Sequence, residues 1–361
     1  MSRTDQAHKM SRKHMSPRER IKAALTFKPV DILPLQICPA AGGLFEHGRK
    51  LVDLIRRCGD DFGDLSSLSL PEPPGAGDFD PDGRYHAFRT DEWGTTWEYR
   101  IFGVWGHPVK WPLNDWSRLH GYKAPSAPPL CGPDFASART AARLHKKEYF
   151  LVQDGGSIFE KLHSVRRFED VLIDILLDTT EINRLADMIA KNIEGQVNRV
   201  LALDADGVIF YDDFGTQNTL LLPPEVWRRF FKPRYQVLFE PIRKAGKSII
   251  FHSCGQVSSL FEDFKELGIS ALWLQLPLYN LPELAIRSRE LGIALMLHPD
   301  RGELMQHGSC QDVRRYVLDL VETFGTLSGG SWLYIEIDPG FPFANVEVLF
   351  GTAMELRNST R

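Results

Sequence analysis

A (β/α)8 TIM barrel with an N-terminal helical extension and a β-rich insertion is the architecture that this α/β chain encodes, on three grounds. In the second half, five short apolar runs are each followed by a helix-like segment, at the spacing that a crossover helix between parallel strands demands. Glycines stand before three of these runs (Gly246, Gly268 and Gly292), where a helix must end before the next strand begins. No GxGxxG or P-loop motif follows any run, which argues against nucleotide-binding open sheets.

The elements follow in order. Residues 1–15 are polar and basic without periodicity, and are expected to be a disordered extension. Ser16-Pro17-Arg18-Glu19 opens the first helix: Ser16 caps it, Pro17 suits its first position, and Glu19 completes a capping box. That helix is expected to end near Phe27, and residues 31–37 to form the first strand, with an eighth strand near residues 62–68. Between residues 70 and 133, prolines and glycines crowd around aromatic alternating stretches such as Trp93-Gly94-Thr95-Thr96-Trp97, the mark of a β-rich insertion. The tryptophans there suit packing within that layer, or the wall of a planar substrate site.

A strand is expected at residues 149–153, then helices at 157–165, 168–176 and 180–203. Strands at 207–211, 248–252, 269–274, 293–297 and 332–337 alternate with helices at 224–245, 257–267, 282–291, 311–324 and 345–357. Residues 16–361 thus read as one barrel domain.

Composition narrows the function. Hydrophobic residues make up 43% and charged residues 25% of the 361, enough for a large core. A net charge of -4 offers nucleic acid or an anionic membrane no bulk attraction. No run approaches the roughly 18 apolar residues of a membrane span, and the N-terminus has no apolar leader segment, so a cytoplasmic protein is expected. Five widely spaced cysteines do not make a disulfide framework, which leaves their thiols free for metal or burial.

In a barrel, polar residues at the carboxyl ends of strands converge on one face. Here those ends offer Asp212, Asp213 and Gln217, then His252 and Cys254, Gln275, His298 and Asp300, and Glu336 and Asp338. His252 and Cys254 are two apart, so both can point to one side and supply the nitrogen and sulfur that zinc takes. They suit a hydrogen-bonded histidine beside a small buried cysteine equally well. Asp212 and Asp213 can raise one another's pKa and serve as general acid or base; alternatively, one caps the next turn and the other is solvated. His298 and Asp300 read as supporting partners of the site, or as structural residues.

The run DGVIFYDDFGTQ from Asp206 to Gln217, then Phe231-Lys232-Pro233, then His252-Ser253-Cys254-Gly255-Gln256-Val257, resembles the uroporphyrinogen decarboxylase-like superfamily, in particular its branch of corrinoid-linked (methylcobamide) methyltransferases. The similarity extends to SPRERIKAAL from Ser16, to Asp91-Glu92-Trp93-Gly94 and to Gly156-Ser157-Ile158-Phe159-Glu160. The decarboxylases carry an arginine-rich segment near the N-terminus and a late GHG-type histidine. Here the matching stretches read Leu35-Gln36-Ile37-Cys38-Pro39-Ala40-Ala41-Gly42-Gly43 and Glu336-Ile337-Asp338-Pro339, without arginine or histidine. A porphyrinogen with eight carboxylates would lack its counter-charges.

The methyltransferase branch binds zinc through a His-x-Cys pair and a distant cysteine. His252 and Cys254 match the pair; in place of the distant cysteine the last strand offers Asp338 or Glu336, with Cys310 elsewhere. The resemblance thus implies a zinc site of His252, Cys254 and Asp338, with Asp213 and Gln217 orienting substrate and Asp212 handling a proton. The expected reaction moves a methyl group between a small methyl ether or thiol and a corrinoid on a partner protein, because no DxHxxG-type corrinoid-binding loop occurs in this chain. The other readings are a metal-free decarboxylase or lyase acting on a small acid through Asp212 or Asp213, and a silent barrel that binds a corrinoid protein or tetrapyrrole. A homodimer stays open.

Overall fold

The computed structural model describes residues 14–359, so the disorder expected over residues 1–13 lies outside the described residues. Within that expected extension, Met15 is tied down: its N–H donates to Asp31 Oδ2 at 2.9 Å. Ser16 caps the helix Pro17–Leu25, and both arms of the capping box with Glu19 are made. Ile21 and Leu25 of this helix pack among Phe150, Ile209, Ile250 and Trp332, so the helix plugs one end of the barrel. It stops short of the expected end, and Phe27 adopts a left-handed turn at φ 55°.

Seven strands form one curled parallel sheet: β1 (Leu35–Cys38), β5 (Val152–Gly156), β6 (Gly207–Tyr211), β7 (Ser248–Ser253), β8 (Ala271–Leu274), β9 (Ala294–Leu297) and β10 (Ser331–Glu336). Their spatial order is β1-β10-β9-β8-β7-β6-β5. The remaining strands, β2 (Ala87–Thr90), β3 (Thr96–Tyr99) and β4 (His107–Lys110), form a small antiparallel sheet inside residues 70–133.

The eighth strand expected near residues 62–68 does not form, and two carboxylates account for it. Asp61 N–H donates to Leu35 O at 2.9 Å, while Phe150 N–H donates to Asp61 O at 3.2 Å, so a short irregular segment touches both open edges. Asp61 Oδ2 accepts from Leu35 N–H at 2.8 Å, and Asp60 Oδ2 accepts from Ile37 N–H at 2.5 Å. Side chains thus satisfy edge donors that a strand would otherwise pair.

Strand alternation decides what reaches the centre. Val208, Phe210, Ile249 and Phe251 face the surrounding helices, whereas Ile209, Ile250, Ala271, Met296 and Trp332 fill the barrel. Parallel register sets Tyr211 beside His252 and His252 beside Trp273, so the inward series continues in step to the strand ends.

The helix expected over residues 224–245 is broken into Pro224–Phe230 and Lys232–Lys244. Pro233 has no N–H for the Arg229 carbonyl, which interrupts the ladder at that turn. The insertion sits against the barrel rim: a Cβ on Gly103 would fall 2.1 Å from Gly42 N, so glycine is what allows these backbones to meet. No described helix is long and apolar enough to cross a membrane.

Candidate metal centre at the barrel mouth

β6 ends in two aspartates that alternation sends opposite ways. Asp212 turns outward and is fully buried, accepting from Ile158 N–H and Glu160 N–H at 2.9 Å each and from the Tyr235 hydroxyl. Burial raises its pKa well above the carboxylate norm, against the opposing pull of the Ile158, Phe159 and Glu160 N–H groups. Its contacts fasten the helix Phe159–Val165 beneath the rim, so the proton-handling role expected of Asp212 has no geometric support here.

Asp213 turns inward. Its Oδ1 accepts Cys254 N–H at 2.7 Å and lies 3.4 Å from His252 Nε2. Cys254 Sγ is also 3.4 Å from that nitrogen. One donor atom from each of Asp213, His252 and Cys254 falls within 4.8 Å of the others, the single such group of three among the described residues.

The imidazole is held in the form a metal requires. His252 Nδ1 lies 3.0 Å from the Trp273 carbonyl, which can only accept, so Nδ1 carries the proton and the Nε2 lone pair faces Asp213 and Cys254. Burial lowers the His252 pKa and favours this neutral ring. Burial, with help from Asp213, pushes the Cys254 thiol up to about 12. The turn that aims Cys254 depends on Gly255 at φ 80°, where a Cβ would fall 2.2 Å from the Gly215 carbonyl carbon.

Asp338 does not join this pair, contrary to the ligand set read from the sequence. Arg301 Nε engages Asp338 Oδ2 at 2.7 Å, and Arg301 Nη1 reaches Glu336 Oε2 at 3.3 Å. The cation holds both last-strand carboxylates, and burial raises the pKa of each. Cys310 is exposed at the start of the helix Cys310–Thr323, 3.5 Å from Asn345 Oδ1, and is outside the group as well. Gln217 is exposed in the turn that Thr216 closes onto Thr219, and Asp300 accepts from Gly302 and Leu304 N–H groups as a local cap.

Three participants were not singled out from sequence. Glu160 Oε1 accepts Asp213 N–H at 3.4 Å, and its other oxygen lies 3.1 Å from His163 Nε2; burial raises its pKa, but His163 and Asp213 N–H outweigh that and bring it below normal. Trp273 backs the imidazole with ring centroids 4.2 Å apart. Tyr334 donates to Glu336 Oε2 at 3.2 Å along the same face of β10. The signal that finds Trp273 and Tyr334 is strand parity with His252, counted two by two along neighbouring strands. Of the insertion tryptophans, Trp93 and Trp97 are buried by packing, and Trp105 is exposed.

A model of the uroporphyrinogen decarboxylase (URO-D) family covers residues 112–355. The chain belongs to that family. No curated protein sequence matches it. Among solved structures, a methyltransferase from Methanosarcina mazei superposes with a TM-score of 0.61 at 14% identity, over 95% of this chain and 99% of that one, which shows a shared fold. Weaker likenesses include an HMG-CoA lyase from Acenitobacter baumannii (TM-score 0.33, 12% identity, 91% and 90% covered). A dihydropteroate synthase from Xanthomonas albilineans has a TM-score of 0.33 at 12% identity, with 44% and 58% covered. This URO-D family member lacks arginine at the end of β1, where Cys38 is followed by Pro39-Ala40-Ala41-Gly42-Gly43, and its Arg301 is already engaged by two carboxylates.

Proposed function

We propose that this URO-D family chain is a metal-dependent methyltransferase that moves a methyl group between a small methyl ether or thiol and a corrinoid carried by a partner protein. The observation that carries the reading is the meeting of His252 Nε2, Cys254 Sγ and Asp213 Oδ1 within 4.8 Å, with the imidazole tautomer fixed by a main-chain carbonyl. Nitrogen, sulfur and carboxylate oxygen are a donor set that zinc accepts, and three protein donors leave a fourth position open. When bound there, zinc supplies Lewis acidity toward the oxygen or sulfur that bears the methyl group.

The chain's own residues do the rest. His252 presents Nε2 because the Trp273 carbonyl accepts a hydrogen bond from Nδ1–H, and Cys254 is aimed by the Gly255 turn. Asp213 moves from the substrate-orienting role expected of it to that of third donor, steadied through its N–H by Glu160. Tyr211, Trp273 and Tyr334 line the inner wall, giving a small substrate an apolar surface. Glu336 and Asp338 occupy Arg301, which leaves a mouth suited to a neutral substrate rather than a polycarboxylate. Among the described residues no arginine cluster stands free at the mouth, which favours this reading over decarboxylation of a polyacid.

Protein purified under reducing conditions is expected to hold about one zinc per chain and to methylate free cob(I)alamin from a methyl ether or methyl thioether donor. His252→Ala and Cys254→Ser are each expected to lose the metal and the transfer together. Metal-free protein whose His252→Ala variant keeps full activity would overturn the proposal.

A further inference from the structure

Trp273, at the inward face of β8, accepts a hydrogen bond from His252 Nδ1–H on its carbonyl at 3.0 Å and rests its indole 4.2 Å from the imidazole, tilted by 45°. Its Nε1–H donates to His298 Nδ1 at 3.2 Å. Tyr334 and Tyr211 close the flanks of the indole at centroid distances of 4.9 and 6.4 Å.

His298 has little freedom of its own. It is 7% exposed and meets Tyr334 edge-on at 4.8 Å. Burial, then the nearby charge of Arg301, holds its pKa well below the usual histidine value, so the ring is neutral and Nδ1 is free to accept. With Nδ1 accepting, the proton sits on Nε2, a buried atom with no hydrogen-bond partner among the described residues. The ring therefore keeps an unmet donor in order to offer Trp273 an acceptor.

We infer that His298 is a positioning residue for the His252–Cys254–Asp213 site, acting through Trp273: it locks the indole, and the indole face with its adjoining carbonyl locks the direction of His252 Nε2. An imidazole turned by half a rotation about χ2 would point a carbon at the Trp273 carbonyl and forfeit the 3.0 Å hydrogen bond from Nδ1–H, so a carbonyl held in place by a locked indole keeps Nε2 toward the site. Without an acceptor at position 298, the indole N–H is left buried and unpaired, and the ring is driven to find another orientation. The inference rests on the reading of this site as a metal centre.

The test is Co2+ binding by the full chain, followed through the ligand-field and sulfur-to-cobalt bands, with thermal melts for every variant. His298→Leu removes the acceptor while filling the space. His298→Asn restores an acceptor at the position of Nδ1, and Trp273→Phe removes the donor while keeping an aromatic face. Partners of ligating histidines typically govern metal affinity by 10–100-fold, and an effect passed on through one further residue is expected at the lower end, about tenfold weaker binding in His298→Leu and in Trp273→Phe. His298→Asn is expected to stay within about twofold of the parent, and the Leu/Phe double variant to be no weaker than either single change, because both cut one link. Unchanged affinity in His298→Leu, equal loss in His298→Asn, or additive losses in the double variant would each overturn the relay. Should His298→Leu fail to fold, Trp273→Phe and His298→Asn decide the matter. Parent protein that takes up no Co2+ would overturn the metal-centre reading and the relay with it, whereas parent uptake with an indifferent His298→Leu overturns the relay alone.

Discussion

The two ends of the barrel handle buried charge in opposite ways. At the amino ends of the strands, Arg20 lies between Asp31 and Asp61, Arg357 adds a second contact to Asp61 at 3.0 Å, and Arg18 engages Asp206 at 2.7 Å. Burial alone would raise Asp31 and Asp206, but their arginines outweigh it and hold both below the ordinary carboxylate range. At the carboxyl ends, burial wins: Glu336 and Asp338 are raised although they share Arg301, and Cys38 beside them is pushed up to about 11. One end is braced by matched charge. At the other, burial disfavours the charged forms of Glu336, Asp338 and the Cys254 thiol, the pattern of a functional site set on a stable base.

Breaking the base has the largest expected effect. Arg20→Ala leaves buried Asp31 without its arginine and Asp61 with Arg357 alone, and is expected to cost about 3–5 kcal/mol in urea unfolding, while the protein that remains folded binds Co2+ normally. A loss below about 1 kcal/mol would mean that the base is not braced in this way.

The two adjacent aspartates sharpen the contrast within two residues. Asp212→Asn disturbs a fully buried acceptor of several donors and is expected to cost about 1–3 kcal/mol of stability. Asp213→Asn is expected to change stability by less than about 0.5 kcal/mol yet weaken Co2+ binding roughly 10-fold or more. The reverse pattern would exchange their roles.

The sequence treats these neighbours alike, because each is an aspartate at a strand end. What separates them is parity with His252 and Cys254 across the β6–β7 pairing, which needs only the register Tyr211 to His252. The barrel itself was legible from apolar runs and helix spacing, since burial on both faces leaves β6 and the middles of β7 and β10 apolar. The missing eighth strand was not, because Asp60 and Asp61 replace pairing by side-chain bonds that carry no apolar signature. Asp338 was drawn into the ligand set by its position after the last strand, and only the fold reveals that Arg301, 37 residues earlier in the chain, reaches it first.

The smallest expected effect concerns pH. Asp206 has a depressed pKa in the folded state, so its contribution is present above the unfolded value near about 3.9 and is lost as pH falls through the folded one. Glu336 runs the other way: its pKa is raised, so its contribution is full below about 4.3 and is lost as pH rises through the folded value. Glu336→Gln, which mimics the protonated form, is accordingly expected to stabilise the protein at pH 7 by roughly 0.5–1 kcal/mol and to give no gain near pH 4. Destabilisation at pH 7 would place Glu336 with the braced carboxylates of the base.

The most direct measurement is anomalous diffraction from crystals of the zinc-loaded chain. The ion is expected about 2.3 Å from Cys254 Sγ and about 2.0–2.2 Å from His252 Nε2 and Asp213 Oδ1, with Asp338 still paired to Arg301. Zinc found on Asp338 or Glu336 without Asp213, or no ion between His252 and Cys254, would contradict the site.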